Sequence, residues 1–269
     1  MGARLRELRK DAGLDGRALA RAAHWHPSKV SRLEHGKQAP SEDDLRVWCD
    51  CCGVPGQAAD LIAALRNIEA AYLEWKQQLR TGLKRRQKAS FPLYEQARVI
   101  CAYEPGLIPG LLQTAGYIRA VMGLYIDLLQ IPDDREEAVP ARLERQRVLY
   151  EGSRRFFFVL EESALRTLVG GPETMLGQLD RILALMSLPN VSMGIIPALA
   201  ERRIWPGEGF LMFDETTVQV ETVSAALTIT QPREIDLYGK TFQRLQRSAV
   251  FGKAARAIIA HAVADLRAI

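Results

Sequence analysis

Apolar residues recur at helical spacing through most of the chain and at strand spacing in a few short runs beyond residue 150. From Ala3 to Ala12, Leu5 and Leu8 fall on one side and Arg4, Arg6, Arg9 and Lys10 on the other, and Gly13 ends the pattern. Asp15 is placed to cap a second helix, about Gly16 to Ala23, whose Leu19, Ala20 and Ala23 form an apolar face. His24 and Trp25 make a turn. A third helix, about Pro27 to Glu34, turns Val30 and Leu33 inward. Pro27 stands at its first position, where a fixed φ suits the helix, and Gly36 at its stop. Ser41 opens a fourth helix, with Asp44 three residues on in a capping-box-like S-x-x-D. Leu45, Val47 and Trp48 are its core candidates and Gly53 its end. A long fifth pattern, about Gln57 to Arg86, carries Leu61, Ile62, Leu65, Ile68, Ala71, Tyr72, Trp75 and Leu79. It suits an inter-domain or dimer helix and equally one packed on its own domain.

From Phe91 the character changes. Tyr94 to Tyr103 is mixed, and EPGLIPGLLQT breaks the chain with two prolines and two glycines. Helices are predicted over Ala115–Leu129, Asp133–Tyr150, Glu162–Leu168, Pro172–Leu188, Arg233–Ser248 and Gly252–Arg267. RFFFVLEES, VSMGIIP, GFLMFDE and TVQVETVS are predicted as strands, with a hairpin turn at Glu215–Thr216. The chain is therefore expected to be mainly α with a small sheet. An N-terminal all-α domain (1–55) leads through a long helix and basic linker (56–90) to a C-terminal α+β domain (91–269).

Bulk properties narrow this little, but the distribution of charge adds to it. The chain has 269 residues, 48% of them hydrophobic, enough for a real core. No stretch approaches the roughly 20 apolar residues of a membrane span, and the start is a charged helix rather than an apolar signal, so a cytoplasmic protein is expected. Cys49, Cys51 and Cys52 lack zinc-finger spacing, and with Cys101 they are expected to be reduced packing residues. Net charge is only +4, yet residues 1–40 hold nine Lys/Arg against four Asp/Glu, 41–75 hold two against seven, and 76–90 hold six against none. Positive charge confined to the first helices and one later segment is the footprint of a nucleic-acid binder with a neutral companion domain. The segment KQQLRTGLKRRQKAS either tracks phosphates or is a solvated linker.

Ser28, Lys29 and Arg32 fall on the side of the third helix away from Val30 and Leu33. A short helix that buries one side and offers a hydroxyl, an ammonium and a guanidinium on the other suits the major groove of double-stranded DNA. LRELRKDAGL, LARAA, the block SKVSRLEHGKQAPS and a closing helix at CGV resemble the helix-turn-helix of XRE-family regulators, which is lambda-repressor-like, over about Leu5 to Val54. Carried over residue by residue, the resemblance places His26, Pro27, Ser28, Lys29 and Arg32 at base edges. Ser28 suits several bases, Lys29 guanine O6/N7, and Arg32 a guanine or a phosphate. The family often has Gln where this chain has Gly16. The N–H of Gly16 and the neighbouring Arg17 are expected to meet a phosphate, and Lys37 completes the DNA-binding candidates. The family's turn glycine is His24, a residue type among the more tolerant of positive φ. Glu34 is expected to pair with a first-helix arginine, and Trp25 to be core.

The C-terminal half offers no persuasive active site. Of His24, His26, His35 and His261, only the last lies there, and no G-x-S-x-G, P-loop, G-x-G-x-x-G or H-E-x-x-H is present. Glu161 and Glu162 end a strand and Glu104 adjoins the Pro/Gly loop, weak candidates for acid–base work. No enzyme activity, cofactor or metal is expected. PGLLQTAGYIRAVM, RLERQRVL, FVLEESALRTLVGG, QLDRILALMSLPNVSMGIIP and GFLMFDE resemble, in order, a domain found behind XRE helix-turn-helix modules in actinobacteria, the WhiJ-type regulators among them. That resemblance implies a transcriptional regulator working with a small protein encoded nearby, in an arrangement likened to toxin–antitoxin pairs. Two half-sites about one helical turn apart imply a homodimer. The C-terminal domain is then expected to dimerise and to receive a protein partner or an unknown small-molecule effector. The alternatives are an antitoxin-like repressor and an enzyme with an appended DNA-binding module.

Overall fold

A computed structural model describes residues 1–62, 64–65, 82–204, 207–222 and 225–268. The chain divides into two compact units, residues 1–73 and 74–269.

The first unit is all-α where it is described: α1 (Gly2–Asp11), α2 (Gly16–Ala22), α3 (Pro27–Glu34) and α4 (Glu42–Cys51), then a 3₁₀ turn at Pro55–Gln57. Each helix turns its apolar stripe inward, so Leu5, Leu8, Leu19, Val30, Leu33, Leu45 and Trp48 share one core. Trp48 is fully buried and satisfies its indole N–H on the Leu5 carbonyl, 3.0 Å away. The capping box of α4 is formed as predicted, with Ser41 and Asp44 exchanging side-chain and backbone bonds. Residues 58–62 are helical, and Leu61, Ile62 and Leu65 pack into this same core. Ile68, Ala71, Tyr72, Trp75, Leu79 and the part of the basic segment up to residue 81 lie outside the described residues. The long pattern does not reach Arg86 as one helix: Gly82, at φ +86°, interrupts it ahead of α5 (Leu83–Ala89).

The second unit is α+β. Among the described residues its sheet has seven strands in the order β6-β5-β4-β1-β2-β3-β7. They are β1 (Val99–Glu104), β2 (Arg155–Glu161), β3 (Val191–Ile196), β4 (Phe210–Phe213), β5 (Thr217–Glu221), β6 (Ala226–Ile229) and β7 (Val250–Phe251). The central three run parallel, and the remaining pairs are antiparallel. Parallel strands need crossovers that cover both faces, which is why RFFFVLE reads as a continuous apolar run. The helices are α6 (Phe91–Gln96), α7 (Ala115–Leu129), α8 (Arg135–Arg145), α9 (Glu162–Arg166), α10 (Pro172–Leu185), α11 (Pro232–Ser248) and α12 (Gly252–Arg267). Ile100, Phe156, Phe158, Ile195 and Phe213 pack with α7, α10 and α12 in one core. Tyr103, Val159, Phe210, Val218 and Val220 pack with α11 in another.

The sheet is larger than the small one expected. β1, β6 and β7 were not foreseen, and the β4–β5 turn takes in Asp214 at φ +49° as well as Glu215 and Thr216. The Pro/Gly loop from Pro105 to Thr114 contains a 3₁₀ turn and is largely buried, so its carbonyls require partners. Buried glutamines supply them. Gln113 donates to Ile108 O (2.7 Å), Gln146 to Gly110 O and Gln113 O (2.9 and 2.8 Å), and Gln178 to Leu112 O (2.8 Å).

Candidate nucleic-acid interface

The reading helix is set by its ends. α1 to α4 all finish in the same two-bond turn, in which the third residue beyond the helix bonds back to a carbonyl of the last turn. At α2, Trp25 N donates to Ala20 O at 2.8 Å and His24 N to Arg21 O at 3.2 Å. This joint needs a left-handed residue. Gly13, Gly36 and Gly53 supply it elsewhere, while His24, at φ +55°, supplies it between α2 and α3. At the start of α3 the His26 ring stands 2.7 Å from Ser28 Oγ and accepts from Ser28 N, with Pro27 at the first helical position.

Glu34 fixes α3 to α1. Its carboxylate takes Arg9 Nε at 2.5 Å and Arg9 Nη2 at 3.0 Å, and Arg9 also donates to Leu14 O at 2.8 Å. The Arg9 and Glu34 side chains are only 11% and 6% exposed, so the pair is an interior fork rather than a surface contact. Trp25 is partly buried against that core, its ring centre 6.1 Å from that of Trp48.

The face of α3 left to solvent carries His26, Pro27, Ser31, Arg32 and His35, with Ser28 half-buried at its edge. Arg32 is braced by Ser28 Oγ and Gln38 Oε1, both at 3.0 Å. Lys37 and Arg17 are exposed, and Gly16 is the first residue of α2. The Asp15 carboxylate already occupies that helix end, accepting from Ala18 N at 2.6 Å. That bond above all, then those of its neighbours, holds the Asp15 carboxyl below its usual range despite some desolvation.

Lys29 is placed differently from the expectation of a guanine contact. Its ammonium bonds to Asp44 Oδ1 at 2.6 Å and lies 4.2 Å from the centre of the Trp25 ring. Burial works against the Asp44 charge, but the Lys29 bond and the Ser41 N–H outweigh it and hold the carboxyl low. Lys29 thus ties α3 to α4. Ser31 and His35 were not singled out from the sequence, although they stand three and seven residues beyond Ser28 on its helical face.

The other candidate chemistry is occupied by structure. Glu161 receives Tyr103 Oη at 2.9 Å and a two-pronged bond from Arg202 at 2.8 and 2.6 Å. Glu162 accepts from Ala198 N at 3.0 Å and Arg166 Nε at 2.9 Å. His261 is exposed on α12. The four cysteines are free thiols, and burial pushes those of Cys52 and Cys101 up to about 11. Among the described residues no group of three or more His, Cys, Asp or Glu is arranged to hold a metal ion. No helix there is long and apolar enough to cross a membrane.

Residues 1–62 match a helix-turn-helix domain, and residues 91–261 match the Domain of unknown function (DUF5753). The first match supports a DNA-binding regulator. No curated protein matches the chain.

Proposed function

Since the chain belongs to the DUF5753 family and carries a helix-turn-helix domain ahead of that region, we propose that it is a sequence-specific transcriptional regulator acting on double-stranded DNA. One observation carries this: α3 is locked from behind by Arg9–Glu34 and capped by His26, and it presents Ser28, Ser31 and Arg32 outward. A rigid short helix with hydroxyls and one guanidinium on its free face reads base edges, and side chains held by packing cost little entropy on binding. Arg17, Lys37 and the N–H of Gly16 serve the phosphates, which set register without reading sequence. In this proposal Lys29 acts mainly by positioning α3, since its ammonium is committed to Asp44.

The finer parts of the proposal are these. The protein binds its operator as a homodimer in the cytoplasm, because one short helix contacts too few base pairs for specificity. The C-terminal domain dimerises and receives the signal, from a small protein encoded nearby or from a small molecule. The resemblance to WhiJ-type actinobacterial regulators favours the protein, and an antitoxin-like repressor is a variant of the same scheme. The domain is not an enzyme in this proposal, as Glu161 and Glu162 are spent on structural partners.

Selection of bound sequences from a random duplex library tests the proposal. The intact chain should enrich one motif. Ser28→Ala and Arg32→Ala should each relax it at particular positions by about 1–3 kcal/mol. Lys37→Ala and Arg17→Ala should weaken all sequences alike and lower the salt slope by about one. Absence of any enriched motif would refute the assignment.

A further inference from the structure

The inner side of α8 carries Ala138 and Val139, then the half-buried Arg142 one turn on and the buried Arg145 nearly two turns on. Arg145 is 7% exposed. Its Nη1 bonds to Ser90 Oγ at 2.7 Å, its guanidinium carbon sits 4.6 Å from the centre of the Tyr94 ring, and its buried Nε has no hydrogen-bond partner. Arg142 donates to Gln87 Oε1 at 3.0 Å and Gln113 Oε1 at 2.8 Å. Among the described residues neither guanidinium forms an ion pair with a carboxylate; their hydrogen bonds go to neutral groups. Two cations held in an interior on neutral partners are costly, and proteins keep such an arrangement where a counter-charge arrives.

The sheet beneath supplies the other wall. The pairing of β1 with β4 and of β4 with β5, continued by one residue, sets Gly209 between Glu104 and Glu221 on one face. A Cβ at Gly209 would lie 2.6 Å from Glu104 Oε2, so the glycine gives the Glu104 carboxyl its room. That face is the one carrying Phe213, whose ring meets Tyr94 edge-on at 4.9 Å, and Tyr94 in turn lies under Arg145. Arg86 pairs with Glu221, and the Glu221 charge reaches Arg142. Burial, and then the Glu221 charge, raise the Glu104 carboxyl to about 8, which favours its neutral, donating form. Burial above all, and then the Arg145 charge, lower Arg142 to about 10, and the Glu221 charge offsets this only in part. With Arg86 and Glu221 cancelling, about two positive charges remain.

We propose that the C-terminal unit contains a site for a small-molecule oxyanion, a carboxylate or a phosphate, seated on the Arg142–Arg145 pair of α8 beside the Glu104–Gly209–Glu221 row of the sheet. Guanidinium forks match both groups, and the Glu104 acid donates to the same ligand. This rests on the proposal that the domain receives a signal, and it names the chemistry of a small-molecule input.

The test is thermal unfolding of the full chain at fixed ionic strength in chloride, with inorganic phosphate and glutarate titrated separately. At least one should raise the midpoint saturably. At one hundred times its Kd it multiplies the folding constant of the unit about 100-fold. A rise with phosphate alone identifies a phosphate site, and with glutarate alone a carboxylate site. Arg142→Gln should abolish the saturable rise while leaving the unliganded midpoint unchanged or higher, because one of two like charges is gone. Arg142→Lys, which keeps the charge but loses the fork, should weaken binding at least tenfold. Arg147→Gln, at an exposed arginine two residues beyond Arg145, should leave it intact. The proposal falls if neither anion gives a saturable rise, or if the rise survives Arg142→Gln. Sequence-selective DNA binding without anion binding would sink this site alone. Anion binding without DNA binding would sink the regulator and leave the site standing.

Discussion

The fork between Arg9 and Glu34 allows the sharpest prediction. Replacing Glu34 by Gln removes the charge from an acceptor that takes two guanidinium bonds at 2.5 and 3.0 Å, and leaves Arg9 with neutral acceptors only, Leu14 O and the new amide oxygen. Both side chains are nearly buried, so screening by water is slight. Breaking one half of such a pair costs about 3–5 kcal/mol, because a buried charge loses its partner. A unit of 73 residues has about 4–11 kcal/mol of stability at the usual 0.05–0.15 kcal/mol per residue. Glu34→Gln should therefore bring the DNA-reading unit to the edge of unfolding at 25 °C while the second unit stays folded. Trp25 and Trp48 report on the first unit, and replacing Trp75 and Trp205 by Phe removes the other indoles. Urea unfolding followed by fluorescence should show the loss, with loss of DNA binding in parallel. Arg9→Met with Glu34→Leu should recover most of the stability, because removing both charges leaves none stranded. A cost below about 1 kcal/mol for Glu34→Gln, or a double variant no better than the single ones, would refute the view that this pair locks α3.

Three further outcomes follow from the same unit. Lys29→Ala should lower stability by about 1 kcal/mol or more, since it leaves the buried Asp44 carboxylate without its ammonium partner, and should change base preference less than Ser28→Ala does; motif selection and urea unfolding together check both. The folded Asp44 carboxyl titrates below its ordinary 3.8, so its contribution is present above that value and is lost as pH falls through the lower folded one; Asp44→Asn should flatten the acid limb of stability below about pH 4, measured by fluorescence against pH. His24→Val should cost about 1–2 kcal/mol, because a β-branched residue resists the left-handed region. His24→Gly should be near neutral, relief of strain being offset by about 0.4–1 kcal/mol of unfolded-chain entropy, as thermal melts would show.

Local rules made the first unit legible in the sequence. Pro27 and Gly36 bound α3, Ser41 and Asp44 cap α4, and the demand of the turn for a left-handed residue falls on His24, all within a few residues of the position concerned. The Arg9–Glu34 pair was legible in kind, as a glutamate with no outward role near a basic helix. The fate of Lys29 was not, since Asp44 lies 15 residues away and only the packing of α4 on α3 brings it near. In the second unit α12 was read to the residue, while β1 was missed. VICAYE has no alternation because both its faces are buried, and its small Cys101 and Ala102 dilute the strand signal. β6 is a short edge strand and β7 has two residues. The row Glu104–Gly209–Glu221 was invisible for a deeper reason. It exists only once three strands from distant parts of the chain settle into register.

That long-range register has a consequence in time. In the sheet Val99 must find Arg155, Phe156 must find Val191, and Ile100 must find Phe213 before any central strand is complete. Each closure loses chain entropy before contacts reward it, and such topologies form slowly. The helices of the first unit meet neighbours close in sequence and form quickly, and they leave the ribosome first. The DNA-reading surface is thus finished while the sheet is still assembling. For that interval the nascent chain displays its α3 face before the unit that follows has taken shape.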